Sequence, residues 1–175
     1  MLYNKSTLVL LGGVDISSHW YDEPPHPKTQ TPNLERDTRE FIAVQDAIQE
    51  GRSVIGVCRG AQLLCVANGG KLHQHVPEHS NNSHPIFTYD DKILYDVAAD
   101  HHQVMAPAGD YIMYATAYRK TNDDEGFDDY TPEVVWWPST RCLAVQPHPE
   151  WMPSSHPFNV WLNDLMKKLN IDWEF

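Results

Sequence analysis

No run of lysines or arginines appears anywhere in this chain of 175 residues, in which 13 basic side chains stand against 24 acidic ones for a net charge of −11. A protein that grips nucleic acid directly needs a basic face to neutralise phosphates, so direct nucleic-acid binding is excluded as an expectation. Cysteine is scarce as well. Cys58, Cys65 and Cys142 are odd in number and form no C-x-x-C pair. They offer neither a disulfide framework nor a zinc knuckle, and a reactive thiol among them is best kept in a reducing compartment. Long apolar runs are missing, with nothing near the roughly 20 residues that span a bilayer. The stretch Leu8 to Leu11 is too short for a signal-peptide core and runs into Gly12-Gly13. The expectation is a cytoplasmic protein with no membrane contact. Internal repeats and low-complexity linkers are also lacking, and 41% hydrophobic content suffices for one core, so residues 1–175 read as a single domain.

What is present is an α/β alternation. Leu8-Val9-Leu10-Leu11 and Ser53 to Cys58 read as buried strands. Tyr111 to Tyr118, Glu133 to Trp137 and Cys142 to Gln146 read as further strands. Prolines 24, 25 and 27 make residues 17–32 a loop. Asp37 with Glu40 has the spacing of a capping box. Phe41, Val44 and Ile48 then repeat at helical intervals before Gly51. A last amphipathic helix begins near Ser155-His156-Pro157, with Phe158, Trp161, Leu162, Leu165 and Leu169 as its apolar stripe. Strands alternating with helices predict a mostly parallel sheet covered on both faces.

The most informative segment is Val54-Ile55-Gly56-Val57-Cys58-Arg59-Gly60-Ala61-Gln62. A β-branched run ends in cysteine, with glycines two residues before and two after, in the pattern of a nucleophile elbow between strand and helix. The glycines are required where strand and helix pass too close for a side chain. The turn aims the Arg59 N–H at a developing oxyanion, and the helix N-terminus favours thiolate. Downstream, Gln146-Pro147-His148-Pro149-Glu150 supplies an imidazole to carry the thiol proton. A carboxylate two residues on can orient it. In open α/β sheets the site lies beyond the carboxyl ends of the strands. Gly12-Gly13, Cys58 and His148 each follow a predicted strand and converge on one edge, where Gly13 can add a second oxyanion N–H.

These segments resemble the class I glutamine amidotransferases, in particular their γ-glutamyl hydrolase branch. The resemblance rests on Gly12-Gly13-Val14-Asp15, Tyr21-Asp22-Glu23 and Arg36-Asp37 with Glu40. It continues through Gly56 to Gln62, Leu63-Leu64, Gly69 to Gln74, His101-His102-Gln103, and Gln146 to Trp151. The blocks follow the family's order and cover most of the chain. The resemblance implies a flavodoxin-like α/β fold, with helices on both faces of the sheet and a nucleophile elbow. It also implies a family strand and helix missing ahead of the Gly-Gly loop, which leaves the sheet N-terminally shortened. The implied activity is cysteine-dependent hydrolysis of a γ-glutamyl amide through a γ-glutamyl thioester. Cys58, His148 and Glu150 would be catalytic, and Gly13 and Arg59 would form the oxyanion hole. Gln62, His101, His102 and Gln103 would hold the glutamyl amino and carboxylate ends. The ligand would be glutamine or another small γ-glutamyl compound, with no cofactor. One alternative is a glutaminase subunit that delivers ammonia to a separate synthetase or ligase partner. Another is a non-catalytic binding module, which would have no need of all three catalytic positions.

The remaining histidines invite a metal reading. His73, His75, His79 and His84 crowd one region, but no carboxylate or cysteine nearby completes a ligand set, so no metal is expected. The acidic run from Asp123 to Asp129 lacks the rhythm of a calcium loop. It reads as a solvated loop, or as one that docks a partner. Cys65, on the elbow helix, reads as core.

Overall fold

A computed structural model describes residues 6–76, 82–118 and 130–175. A seven-stranded sheet forms its spine, in the order β1-β2-β9-β8-β7-β4-β5. The strands are β1 (Leu8–Leu10), β2 (Val54–Val57), β4 (Asn82–Thr88), β5 (Ile93–Ala99), β7 (Ile112–Tyr118), β8 (Tyr130–Trp137) and β9 (Cys142–Val145). Two short strands, β3 (Lys71–His73) and β6 (Val104–Ala106), make a separate antiparallel ribbon. The helices are α1 (Leu34–Gln49), α2 (Arg59–Ala67) and α3 (Pro157–Lys168).

The flavodoxin-like parallel part consists of β1, β2 and β9. Beyond β9 the pairings are antiparallel, so the whole sheet is mixed. The change has a simple cause. A turn of a few residues joins β8 to β9, and a connection that short can only reverse the chain, whereas parallel neighbours need a crossover of a dozen residues or more. Strand β1 lies at one edge and β5 at the other.

Helices cover both faces. On one side, Phe41, Val44 and Ala47 of α1 and Leu63, Leu64 and Cys65 of α2 pack with Val54, Cys142 and Ala144. On the other, Phe158, Trp161, Leu162 and Leu165 of α3 cover Ile55, Val57, Leu143 and Val145. The stripe read from the sequence is therefore the face of α3 that is buried. Side chains alternate across a strand, so β2 and β9, both fully buried, feed the two cores in turn. His156 caps α3 by accepting from the Phe158 N–H, and Pro157 occupies the first turn, where its missing N–H costs nothing.

The start of α1 differs from the capping-box expectation. Asn33 is the cap, its side chain accepting from the Arg36 N–H at 3.0 Å. Asp37 and Glu40 lie inside the helix, where their carboxylates hold arginines. The loop before α1 includes a short 3-10 turn, Ser18–Tyr21, that buries Tyr21.

Candidate active site

The elbow forms as the glycine pattern predicts. Strand β2 ends at Val57, α2 begins at Arg59, and Cys58 alone makes the turn, with φ 52 and ψ −109. That backbone is strained for a residue with a side chain. It is held on both sides, by the Cys58 N–H donating to the Val145 carbonyl at 2.9 Å and by the Cys58 carbonyl accepting from Gln62 at 3.1 Å. A Cβ on Gly56 would lie 2.3 Å from the Gly60 carbonyl oxygen, and one on Gly60 would lie 2.5 Å from that of Leu10. Backbone occupies the space, so neither position admits a larger residue.

An ionic hub anchors the turn from behind. The Arg59 side chain, 1% exposed, runs away from the cleft. It pairs with Asp37 at 2.5 Å and with Glu40. Glu40 also accepts from Arg36 at 2.7 Å, and Arg36 donates to the carbonyls of Leu11 and Gly12. Asp37 accepts in addition from the Ser17 N–H at 2.9 Å. The Gly12-Gly13 loop and the elbow thus share one set of buried and half-buried charges.

Thiol and imidazole both flank Gly12. A Cβ on that residue would lie 3.1 Å from His148 Cε1 and 3.9 Å from Cys58 Sγ. The His148 ring is fixed on two sides. Its Nδ1 lies 2.7 Å from Glu150 Oε1, and Trp151 stacks on it with centroids 3.6 Å apart and planes 3° apart. A carboxylate only accepts, so Nδ1 carries a proton, which in the neutral ring leaves Nε2 with its lone pair. The Trp151 stack is a site feature the sequence reading missed, although its Trp stood in the matched block.

The thiol does not behave as the helix N-terminus suggested. Burial pushes the Cys58 pKa up to about 12. The Arg59 N–H against the sulfur works the other way, but the carboxylates of Glu150, Asp100 and Asp15 add to the rise. Desolvation and three nearby negative charges outweigh the field of a nine-residue helix, so the resting group is the thiol. Its Sγ lies 3.8 Å from the Asp100 carbonyl.

These groups line a cleft of ≈ 830 Å³. Gly12, Gly13, Cys58, His148 and Glu150 border it, as do Gln62, His101 and His102. Gln103 does not. It is fully buried behind the wall, where its carbonyl faces Gln62 Nε2 at 3.3 Å and His101 Nδ1 at 2.9 Å. His102 Nε2 lies 3.0 Å from Asp15, which also accepts from the Gln30 N–H. Of the crowded histidines, His75 lines the cleft between the rings of His26 and His102. His84 turns instead toward His101 and Glu133. His79 and the acidic run 123–129 lie outside the described residues. No described helix is long and apolar enough to cross a membrane.

The chain is similar to known proteins in sequence and in fold. Residues 2–124 match the family described as Peptidase C26. The chain is 33% identical over 181 residues to protein NtpR of Enterococcus hirae, covering 90% of this chain and 72% of that protein. It is 35% identical over 169 residues to a Mycobacterium tuberculosis protein provisionally named a glutamine amidotransferase, but spans only 52% of that protein's length. Among solved structures, a glutamine amidotransferase from Thermotoga maritima shares the fold with a TM-score of 0.52 and 10% identity, over 97% of this chain and 87% of that one.

Proposed function

Since this chain belongs to the peptidase C26 family, and with it to the class I glutamine amidotransferase superfamily, we propose that its cysteine-hydrolase chemistry is the cleavage of a γ-glutamyl amide through a thioester on Cys58. One observation carries the reading. A strained cysteine at the end of β2 flanks the same glycine as a carboxylate-bound imidazole at the end of β9.

The steps follow from the donors and acceptors present. Cys58 Sγ attacks the δ-carbonyl carbon while its proton passes to His148 Nε2. The carbonyl electrons move to oxygen, which the N–H groups of Arg59 and Gly13 receive. One such donor lowers the barrier by roughly 3–4 kcal/mol. The C–N bond then breaks, Nε2 returns the proton to the departing amine, and a γ-glutamyl thioester remains. Water, deprotonated by the same nitrogen, cleaves the thioester and releases glutamate and the thiol. Glu150 keeps Nδ1 protonated and stabilises the imidazolium. A thiol that rests protonated needs this coupling, because no thiolate is waiting. Gln62 and His102 would face the glutamyl amino and carboxylate ends, with His101 lining the cleft beside them. Gln103 would act from behind, through its carbonyl.

The test offers the purified protein glutamine and a larger γ-glutamyl amine in parallel, and follows the intact mass for a glutamyl adduct on Cys58. An adduct that forms in the parent and is absent in Cys58→Ser is expected. Faster turnover of the larger amide supports a stand-alone hydrolase. Ammonia release from glutamine that rises when a synthetase is added supports the ammonia-delivering subunit. If neither compound turns over and a glutamine-like chloroketone leaves Cys58 unmodified, the chain is a binding module and the reading fails.

A further inference from the structure

Behind the cleft, three ligand-type side chains converge from three separate segments. They are His84 in β4, His101 in the turn after β5, and Glu133 in β8. One ligand atom from each lies within 4.8 Å of the others. We propose that this cluster is a binding site for a divalent transition-metal ion of the zinc class. Its ligands would be His84 Nε2, His101 Nε2 and the Glu133 carboxylate, and the ion would pin the turn of residues 100–103 against the sheet.

The tautomers suit that role. His101 Nδ1 is 2.9 Å from the Gln103 carbonyl, which can only accept, so the ring proton sits on Nδ1 and Nε2 keeps its lone pair. His84 Nδ1 faces the Pro85 carbonyl at 3.4 Å with the same consequence. Metal-binding histidines are commonly oriented in this way, with the second nitrogen donating to a backbone carbonyl. Glu133 has no exposed surface. Thr131 Oγ1 donates to its Oε1 at 3.3 Å, and its Oε2 has no hydrogen-bond partner. A carboxylate oxygen buried without a partner costs free energy that a bound cation would relieve.

The spacing points to an ion rather than a direct bond. His84 Nε2 and Glu133 Oε1 are 3.9 Å apart, too far for a hydrogen bond. Two ligands bound tetrahedrally to zinc at roughly 2.0–2.1 Å sit roughly 3.3 Å from each other, so small side-chain rotations close the cluster onto an ion. Two imidazoles and one carboxylate select a transition metal over calcium or magnesium, which prefer oxygen donors. A further polar group is at hand. The Gln146 N–H donates to the Glu133 carbonyl, which sets the two residues opposite each other on neighbouring antiparallel strands. The fully buried Gln146 side-chain amide therefore shares the sheet face of Glu133, and neither of its atoms is bonded. The site stands whether or not Cys58 turns over γ-glutamyl amides. Its link to the cleft is positional, since His101 lines the cavity and the adjoining Asp100 carbonyl lies against the thiol.

The test is a cobalt(II) titration of chelator-stripped protein carrying Cys58→Ser, so that the cleft thiol cannot take the metal. The expected result is one cobalt per chain, with the visible absorption of a low-coordinate nitrogen and oxygen site that zinc abolishes, and with a raised melting temperature. Glu133→Gln and His84→Ala should each weaken binding at least about 100-fold and remove the thermal shift. His75→Ala, beside His26 and His102 rather than in the cluster, should change neither. Glu133→Gln keeps the shape of the side chain, and its apo melting curve reports separately whether it folds. Failure of the parent to bind stoichiometrically would overturn the site. So would binding that survives both ligand substitutions and disappears in His75→Ala, because that places the metal on the His26, His75 and His102 wall.

Discussion

A single buried thiol shows how a local sequence cue can be right about position and wrong about charge. The glycine frame around Cys58 placed the elbow, and the helix start after it suggested a thiolate. Folding then surrounds the sulfur with apolar atoms and three carboxylates that no local window contains, and the thiol's pKa rises to about 12. Alkylation of the free protein by iodoacetamide should therefore be slow at neutral pH and keep climbing above pH 9. A plateau below pH 8, followed by mass spectrometry at Cys58, would contradict the raised value. The sign for stability is the same. The thiol's contribution is complete below its unfolded value and is lost as pH rises toward about 12. His148 and Glu150 were legible because they lie two residues apart. Glu150→Gln should lower kcat by about 10²- to 10⁴-fold in steady-state assays, with little change in KM, because the wrong imidazole tautomer is then favoured. Gln103 was not legible as a buried residue behind the wall, since the two histidines before it line the cleft while it faces the core.

Among the elements, the same spacing served two purposes. Asp37 and Glu40, three apart, match a capping box, yet in α1 that interval puts both carboxylates on one face, where they meet Arg59 and Arg36. Only the partner arginine on another helix tells the two uses apart. Replacing Asp37 with Ala leaves the 1%-exposed Arg59 short of its buried partner and should cost about 3–5 kcal/mol in urea unfolding. Gly60→Ala should cost about 1–3 kcal/mol by the same measurement, because the new methyl would press on the Leu10 carbonyl. The stripe of α3 was plain in the sequence, being a one-sided pattern on a long helix. The β4–β5 hairpin was not. Its strands alternate poorly, with β5 reading exposed, buried, exposed, exposed, buried, and the pairing slips between His84 and Ile86.

For the whole molecule, protection should follow the order of the sheet. Amides of β2 and β9, flanked by strands and covered by helices on both faces, should exchange hydrogen only through global unfolding. Those of the edge strands β1 and β5 should exchange sooner, and mass-resolved exchange would show uniform rates if the sheet were not organised in this way. The parallel half, with the candidate site at its carboxyl edge, could be anticipated from the alternation of strands and helices. The antiparallel half, and the gathering of His84, His101 and Glu133 from three segments, needed the tertiary pairing itself. The pairing Val57↔Val145 has one more consequence. Neighbouring strands in a sheet lie about 4.8 Å apart, and Cys58 and His148 follow adjacent strands just past that matched pair. The ladder therefore acts as a fixed ruler between sulfur and imidazole. A slip of the two strands by one repeat of the pleat would leave both cores filled and yet carry sulfur and imidazole past one another, so the precision of the proposed chemistry is inherited from main-chain pairing rather than from the loops that display it.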